Sequence, residues 1–283
     1  MTTASLHDGA PLEVVVLGAG PAVLLPVRTT VIEGEDADRM RAWGADPNLG
    51  HALATGLVEA GFRVVAADYE GHLAQHPKPH TLTADAVAAD LLAVADAAGV
   101  RRFAYYGYSW LALAGFQLAL RTDRLTALAM GGFPPLGGPY RAMLTVTRAT
   151  YRMAEANRNR PPAAGGEGRP GDWDSVEVSV SVDQARQYVT LYESLRDFDE
   201  AGALGRLTLP RLAFAGADDD ITYGPGWGGV EVRIAGALAE HRDTLVRQGW
   251  TVELVPGKDH MAAMQAAAVL PVLVPWLTGV LAR

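Results

Sequence analysis

Ser109 is the residue of this sequence whose surroundings most clearly favour chemistry. It lies in Gly107-Tyr108-Ser109-Trp110-Leu111, between the strand-like run Arg102–Tyr106 and a strongly apolar helical pattern over Trp110–Leu120. A serine at such a strand-to-helix turn is held in a strained backbone conformation, with its hydroxyl projecting above the sheet. The helix that follows presents free backbone N–H groups, and that of Trp110 is the natural donor to an oxyanion. These features predict a nucleophilic serine beside an anion-stabilising helix terminus.

The turn resembles the nucleophile elbow G-x-S-x-G of the α/β-hydrolase superfamily, and the resemblance extends over nearly the whole chain. Gly107 and Ser109 match the motif, whereas Leu111 stands where the second glycine is expected. Gly115, one turn further into the helix, raises the alternative that close packing is shifted along the helix. The family order of serine, acid and histidine is also present.

The resemblance implies an acid in the segment that follows the apolar run Arg211–Ala215. In the family the acid lies three residues after a glycine such as Gly216, which corresponds to Asp219. Asp218 and Asp220 remain the alternatives if the loop is shifted by one residue.

The resemblance also implies a base after the last strand. His260 follows the run Thr251–Val255 in a segment that resembles the family's Gly-x-x-His loop. A serine hydroxyl is a weak nucleophile, so a neighbouring imidazole must accept its proton. In the implied triad, His260 activates Ser109 while the carboxylate of Asp219 orients the imidazole and stabilises its charged form.

A second donor to the oxyanion is expected after the strand Ala22–Leu25. Many relatives have His-Gly at this point, whereas this chain has Pro26-Val27-Arg28. Because proline has no N–H, the donor is expected to be Val27 or Arg28. The Arg28 side chain either places a charge near the site or points to solvent, and the sequence leaves both open.

Aromatic residues crowd the serine turn. Tyr108 and Trp110 flank Ser109 and either pack in the core or line a substrate pocket, and Phe133 is a further candidate for the pocket wall. The segment Asp68-Tyr69-Glu70-Gly71-His72 resembles the family's Asp-x-Arg-Gly-His turn, with Glu70 where arginine is common. We interpret it as a structural turn.

The elements that position these residues alternate between apolar strands and helices, which predicts an α/β fold with a mostly parallel, doubly wound sheet. Leu12–Leu17 and Ala22–Leu25 are expected to form a hairpin around Gly18-Ala19-Gly20-Pro21. Helices are expected over Leu49–Ala60, Thr83–Ala98, Val230–Gln248 and the C-terminal run from Ala266.

The alternation stops between Pro134 and Thr208, which predicts an insertion into a single domain. The expected core comprises residues 1–136 and 209–283, and a helical cap occupies about 137–208. Within the cap, helices are expected over Tyr140–Glu155 and Val182–Leu195. Asn157–Asp174 is rich in Pro, Gly and Arg, which indicates a flexible loop.

The composition narrows the function classes. The chain has 283 residues, a formal net charge of −8 and no cysteine. The charge argues against a nucleic-acid partner, and the absence of cysteine excludes disulfides and thiolate chemistry. No signal peptide is recognisable, and the proline-containing C-terminal run reads as a packed helix, so we expect a cytoplasmic protein without membrane contact.

No metal or other cofactor is expected, because the remaining histidines have no partners at metal-ligand spacing. Gly18-Ala19-Gly20 is not interpreted as a dinucleotide fingerprint, since a strand and not a helix follows it.

The function expected from the resemblance is hydrolysis of a carboxylic ester or related acyl bond of a hydrophobic small molecule. Three alternatives of the same fold remain open: a thioesterase or acyltransferase, a lyase or cyclase, and a binding protein without catalysis. The expected partner is the small-molecule substrate, with a homodimer as an open alternative. Epoxide and haloalkane hydrolases are disfavoured, because those relatives have aspartate where Ser109 stands.

Overall fold

The computed structural model describes residues 2–42, 44–159 and 180–281. The strands in these ranges are β1 (Thr2–Ser5), β2 (Pro11–Leu17), β3 (Ala22–Leu25), β4 (Arg63–Ala66), β5 (Phe103–Tyr108), β6 (Leu125–Gly131), β7 (Arg211–Gly216), β8 (Asp220–Thr222), β9 (Glu231–Arg233) and β10 (Trp250–Val255).

Helices connect most of these strands. They are α1 (Glu35–Ala42), α2 (Leu49–Glu59), α3 (Tyr69–Gln75), α4 (Ala84–Ala97), α5 (Trp110–Ala119), α6 (Tyr140–Asn157), α7 (Val182–Ser194), α8 (Glu200–Leu204), α9 (Ala235–Arg247), α10 (His260–Met264) and α11 (Ala266–Leu281).

The larger sheet has the strand order β1-β2-β4-β3-β5-β6-β7-β10, and β8 pairs with β9 in a separate ribbon. The strands from β4 to β10 in this order run parallel, whereas β2 is antiparallel to both β1 and β4. The prediction of a mostly parallel sheet is therefore confirmed. Because the chain places β4 on one side of β3 and β5 on the other, a crevice opens at the carboxyl ends of β3 and β5.

Both faces of the sheet are covered, as the buried residues of β5 illustrate. Phe103 and Tyr105 share a core with α4 and α5, whereas Ala104 and Tyr106 share a second core with α2 and α11. Side chains alternate between the two faces along a strand, so a strand buried on both sides needs a helical layer on each.

The predicted hairpin of β2 and β3 is wrong. The two strands do not pair, because β4 lies between them, and β2 pairs instead with β1. The turn between β2 and β3 crosses the start of β4: a Cβ at Gly18 would lie 2.6 Å from the Phe62 carbonyl oxygen, and one at Gly20 would overlap that of Gly61. The glycines therefore permit a crossing, which the sequence pattern does not distinguish from a hairpin.

The insertion between β6 and β7 contains α6, α7 and α8, and the two helices predicted there are confirmed. The flexible loop predicted over Asn157–Asp174 lies mostly outside the described residues, since only its first three positions are described. The division of the chain into core and cap stays a prediction.

The predicted helix over Val230–Gln248 begins too early. Glu231–Arg233 forms β9, and α9 starts only at Ala235. The C-terminal run does form a helix, α11, with Pro271 and Pro275 inside it. In the part of the chain that the structure describes, no helix has the length and apolar character needed to cross a membrane.

Candidate active site

The backbone at Ser109 is strained. Its φ of 57° and ψ of −130° are followed at once by α5, and it is the one non-glycine residue with positive φ within the described ranges. Its N–H donates to the Gly131 carbonyl oxygen at 2.8 Å, which ties the turn to the end of β6. A Cβ at Gly107 would overlap the Leu111 carbonyl group, so this close turn requires glycine. Strain of this kind persists only where the surrounding structure enforces it.

The substitution of the family's second glycine by Leu111 is compensated further along α5. Leu111 is buried, and its carbonyl oxygen accepts a hydrogen bond of 2.7 Å from the Tyr105 hydroxyl. A Cβ at Gly115 would overlap the Tyr105 ring. The close contact of helix with strand is thus made at Gly115.

Asp219 and His260 form a hydrogen-bonded pair. The Nδ1 atom of His260 lies 2.9 and 3.0 Å from the two carboxylate oxygens of Asp219. The Asp219 side chain is fully buried, whereas that of His260 is 15% exposed. Because a carboxylate only accepts, Nδ1 must carry the proton, and Nε2 of the neutral ring is left as a proton acceptor.

The neighbouring aspartates have other partners. Asp220 accepts a hydrogen bond of 3.0 Å from the N–H of Gly236, in the first turn of α9, and Asp218 is exposed. The start of α9 also holds the Asp219 backbone, since the Asp219 carbonyl oxygen accepts a hydrogen bond of 2.9 Å from the Ala235 N–H. The loop register thus turns Asp219 inward.

The acid and base loops pack directly on each other at Gly216. The Lys258 carbonyl oxygen occupies the place of a Gly216 side chain, and it accepts a hydrogen bond of 3.0 Å from the Asp218 N–H. Asp259 then begins α10 by accepting from the Ala262 N–H at 2.8 Å. His260 is therefore held at a helix start whose position depends on the acid loop.

The His260 ring contacts Tyr108, within the serine turn, and lies close to Gly132, after β6. Its ring centroid is 5.1 Å from that of Tyr108, which precedes Ser109. A Cβ at Gly132, next to the residue that anchors Ser109, would lie 3.0 Å from Cε1 of His260. Ser109 Oγ and His260 Nε2 make no hydrogen bond in the described structure. Catalytic hydrogen bonds are often long before substrate binds.

Tyr108 supports His260 from the core. It is buried, and its hydroxyl donates to the His260 carbonyl oxygen at 3.0 Å. Burial, followed by the charge of Asp219, raises the pKa of Tyr108 well above its usual value. The sequence left core packing and pocket contact open for this residue, and the structure shows that β5 continues to Tyr108 with its ring in the core.

Phe133 is also buried. Its ring packs edge-on against Tyr140 of α6, with 5.3 Å between centroids. The residue therefore joins the sheet to the insertion, and its place in a pocket wall stays a prediction.

The expected oxyanion donors lie at the crevice between β3 and β5. The N–H groups of Trp110, Val27 and Arg28 have no partner among the residues described. A Cβ at Gly50 would overlap the Arg28 carbonyl oxygen, so the start of α2 sets the position of this loop. Arg28 is partly buried and forms no ion pair with any described residue.

The Trp110 side chain brings together two residues that the sequence analysis did not assign to the site. Its Nε1–H donates to Oε1 of Glu70 at 2.5 Å, and its ring lies edge-on to that of Tyr188 in α7, 5.4 Å away. Tyr188 also lines a cavity of about 300 Å³ between α3, α6 and α7. The one signal for Glu70 was its departure from the arginine that is common in that turn.

No protein-family model matches this sequence, and no curated protein matches it significantly. Solved structures do match over almost the whole chain. An esterase from Thermogutta terrifontis has 18% identity and a TM-score of 0.61, covering 99% of this chain and 98% of that one. The enol-lactonase from Burkholderia xenovorans LB400 has 19% identity and a TM-score of 0.59, covering 98% and 99%. Epoxide hydrolase A from Mycobacterium thermoresistibile has 19% identity and a TM-score of 0.59, covering 99% and 98%. At such identities the likeness shows a shared fold and not a shared reaction.

Proposed function

The chain has the α/β-hydrolase fold, and from this premise we propose that it is a serine hydrolase that cleaves a carboxylic ester or related acyl bond. The observation that carries the proposal is the hydrogen-bonded pair of Asp219 and His260 beside the strained turn at Ser109. An esterase and an enol-lactonase among its structural neighbours support the same class of substrate.

The first half of the reaction forms an acyl-enzyme. Nε2 of His260 accepts the proton of the Ser109 hydroxyl as Oγ attacks the acyl carbon. The negative charge that develops on the carbonyl oxygen is stabilised by the N–H of Trp110 and by that of Val27 or Arg28. The buried carboxylate of Asp219 stabilises the imidazolium that forms.

The second half of the reaction releases the acid. As the tetrahedral intermediate collapses, the leaving alcohol takes the proton from His260 and departs. The neutral imidazole then removes a proton from a water molecule, which attacks the acyl carbon of the ester on Ser109. Protonation of Ser109 Oγ by His260 restores the starting state.

We further propose that the insertion of α6, α7 and α8 acts as a cap over this site. Tyr188 of α7 contacts Trp110, and Phe133 at the end of β6 contacts Tyr140 of α6. Both contacts bring the insertion to residues next to the crevice. A cap that excludes water strengthens the electrostatic interactions beneath it.

The experiment that tests the proposal is labelling with a fluorophosphonate probe, measured by intact mass. We expect one adduct on the wild-type protein and none on Ser109→Ala. A panel of esters and thioesters, assayed with and without alcohol acceptors, then separates hydrolysis from acyl transfer. A well-folded wild type that forms no adduct contradicts the proposal and favours a lyase, a cyclase or a binding protein.

A further inference from the structure

Glu70 extends from the end of one strand across to the serine turn. It lies in the first turn of α3, which follows β4, and its carboxylate accepts the hydrogen bond from the Trp110 indole. Since β3 separates β4 from β5, the contact spans the carboxyl end of β3. The carboxylate therefore contacts the side chain of the residue that directly follows Ser109.

Among the residues that the structure describes, no cationic group pairs with the Glu70 carboxylate. No Lys, Arg or His nitrogen of the described residues forms an ion pair with it. Protein atoms around the carboxylate desolvate it and raise its pKa, and the negative charge of Asp68 acts in the same direction against the hydrogen bond from Trp110. The residue nevertheless remains exposed to solvent. The carboxylate is therefore accessible to a ligand from solvent.

Aromatic rings surround the same point. The Trp110 ring lies 5.4 Å from that of Tyr188 and 6.2 Å from that of Tyr69. Aromatic faces attract organic cations, and a nearby carboxylate adds a full negative charge to that attraction. The combination is suited to a substituted ammonium group and is unfavourable for an anion.

We propose that Glu70, together with the rings of Trp110 and Tyr188, binds a positively charged nitrogen on the substrate, so that the preferred substrates are acyl compounds with an ammonium group. This inference rests on the proposed function for the position of the scissile bond. The ligand supplies the positive charge that the described residues do not supply to this carboxylate. Specificity follows because the carboxylate attracts a cationic substrate, has no such attraction for a neutral one and repels an anionic one.

The test compares two p-nitrophenyl esters of the same shape. One is the ester of γ-trimethylammoniobutyrate, and the other carries carbon in place of the quaternary nitrogen. We expect the wild type to favour the cationic ester by about tenfold in kcat/KM, as one partly screened ion pair predicts. Glu70→Gln should bring the ratio of the two kcat/KM values to about one, because it removes the charge while its amide oxygen still accepts the Trp110 N–H.

Glu59→Gln is the matched control. It removes one charge from an exposed position near the start of β4, at the opposite edge of the sheet from Ser109. It should retain the wild-type preference. Hydrolysis of both esters with no preference for the cation, or a preference equal in Glu70→Gln and Glu59→Gln, overturns the inference and leaves the proposed function standing.

A binding measurement separates this inference from the proposed reaction. The amide analogue of the cationic ester is titrated calorimetrically into the wild type, Glu70→Gln and Glu59→Gln. Binding weakened about tenfold or more by Glu70→Gln alone supports the cation site, even if no fluorophosphonate adduct forms. No binding to the wild type, or equal binding to all three proteins, overturns it.

Discussion

At the scale of single residues, the orientation of one imidazole depends on one buried carboxylate. The two carboxylate oxygens of Asp219 lie at nearly equal distances from Nδ1 of His260. The Asp219 side chain is not exposed to solvent. The hydrogen bond sets the tautomer of His260, and the tautomer determines whether Nε2 can accept the Ser109 proton. In the proposed mechanism, the charge of Asp219 therefore acts on Ser109 through the His260 ring.

We expect Asp219→Asn to lower kcat for ester hydrolysis by about 10⁴-fold, the order found when a triad carboxylate becomes an amide. The amide has nearly the same shape but no charge, and its NH₂ group favours the wrong tautomer. Steady-state kinetics with a p-nitrophenyl ester measures the effect.

Asp218→Asn is the control for this prediction, since Asp218 is exposed and adjacent in sequence. It should leave kcat within about twofold of the wild type. Equal losses in the two variants would show that Asp219 is not the acid.

At the scale of elements, the decisive contact joins two loops at Gly216. β7 and β10 are parallel neighbours, so the loops that follow them leave the same edge of the sheet side by side. The Lys258 carbonyl group fills the space of a Gly216 side chain, and the Ala217 N–H donates to the Val255 carbonyl oxygen at 2.9 Å. The separation of Asp219 from His260 is therefore set by backbone packing.

Gly216→Ala should displace the His260 loop, because the added methyl group overlaps backbone atoms that have no other rotamer. We expect a loss of about 2 kcal/mol or more in the free energy of unfolding and a fall in kcat. Urea denaturation and ester hydrolysis measure the two effects.

Gly279→Ala offers the contrasting substitution. Gly279 lies in α11 with open space at the Cβ position, so alanine should stabilise the protein by up to about 1 kcal/mol without changing kcat. A Gly216→Ala variant that retained both stability and activity would refute the steric argument.

At the scale of the whole molecule, polar contacts in the core join the N-terminal segment to α3 and α4. His7 bonds the fully buried Asp90 through its backbone N–H and its ring, and the Tyr69 hydroxyl donates to the same carboxylate at 2.7 Å. Lys78 pairs with Asp8 in the same region. The connection between the edge strand β1 and its neighbour β2 is thereby tied to α4 and to the segment that includes α3.

His72 makes this region sensitive to acid. It is 8% exposed, and burial, followed by the charges of Lys78 and His76, lowers its pKa, against the opposing effect of Asp8 and Asp90. His72 therefore binds a proton more readily in the unfolded chain than in the folded protein. The contribution of His72 to stability is complete above the unfolded pKa of about 6.5 and declines as the pH falls below it.

We expect the free energy of unfolding of His72→Gln to fall less between neutral pH and mildly acidic pH than that of the wild type. Urea denaturation at a series of pH values measures the slope. His80→Gln, at an exposed position, should keep the wild-type slope. Identical slopes in all three proteins would mean that His72 is not the group responsible.

Local sequence signals were sufficient for the elements and for Ser109. The apolar runs of β4 to β7 and the helices α6 and α7 follow from hydrophobic periodicity, which records burial along a single element. The glycines around Ser109 and the order of serine, acid and histidine predict the site because they reflect the backbone geometry of one turn and the order of the strands.

Other features depend on contacts between distant segments. Whether the glycines between β2 and β3 make a hairpin or a crossing depends on β4, which is far along the chain. Which of three consecutive aspartates turns inward depends on the start of α9 and on the His260 loop. Tyr108 resembles a pocket residue in the sequence, yet the continuation of β5 places its ring beneath His260.

The fold class and the strand-to-helix turn at Ser109 follow from the sequence alone, because periodicity and glycine placement are local properties. The segments of Asp219 and His260 were predicted from the resemblance to the α/β-hydrolase superfamily. Only the tertiary structure decided the strand order, the pairing of Asp219 with His260 and the contact of Glu70 with Trp110. Each of these is a meeting of segments separated by tens of residues. No local pattern in the sequence encodes these contacts, since they result from how the helical layers and the sheet pack together.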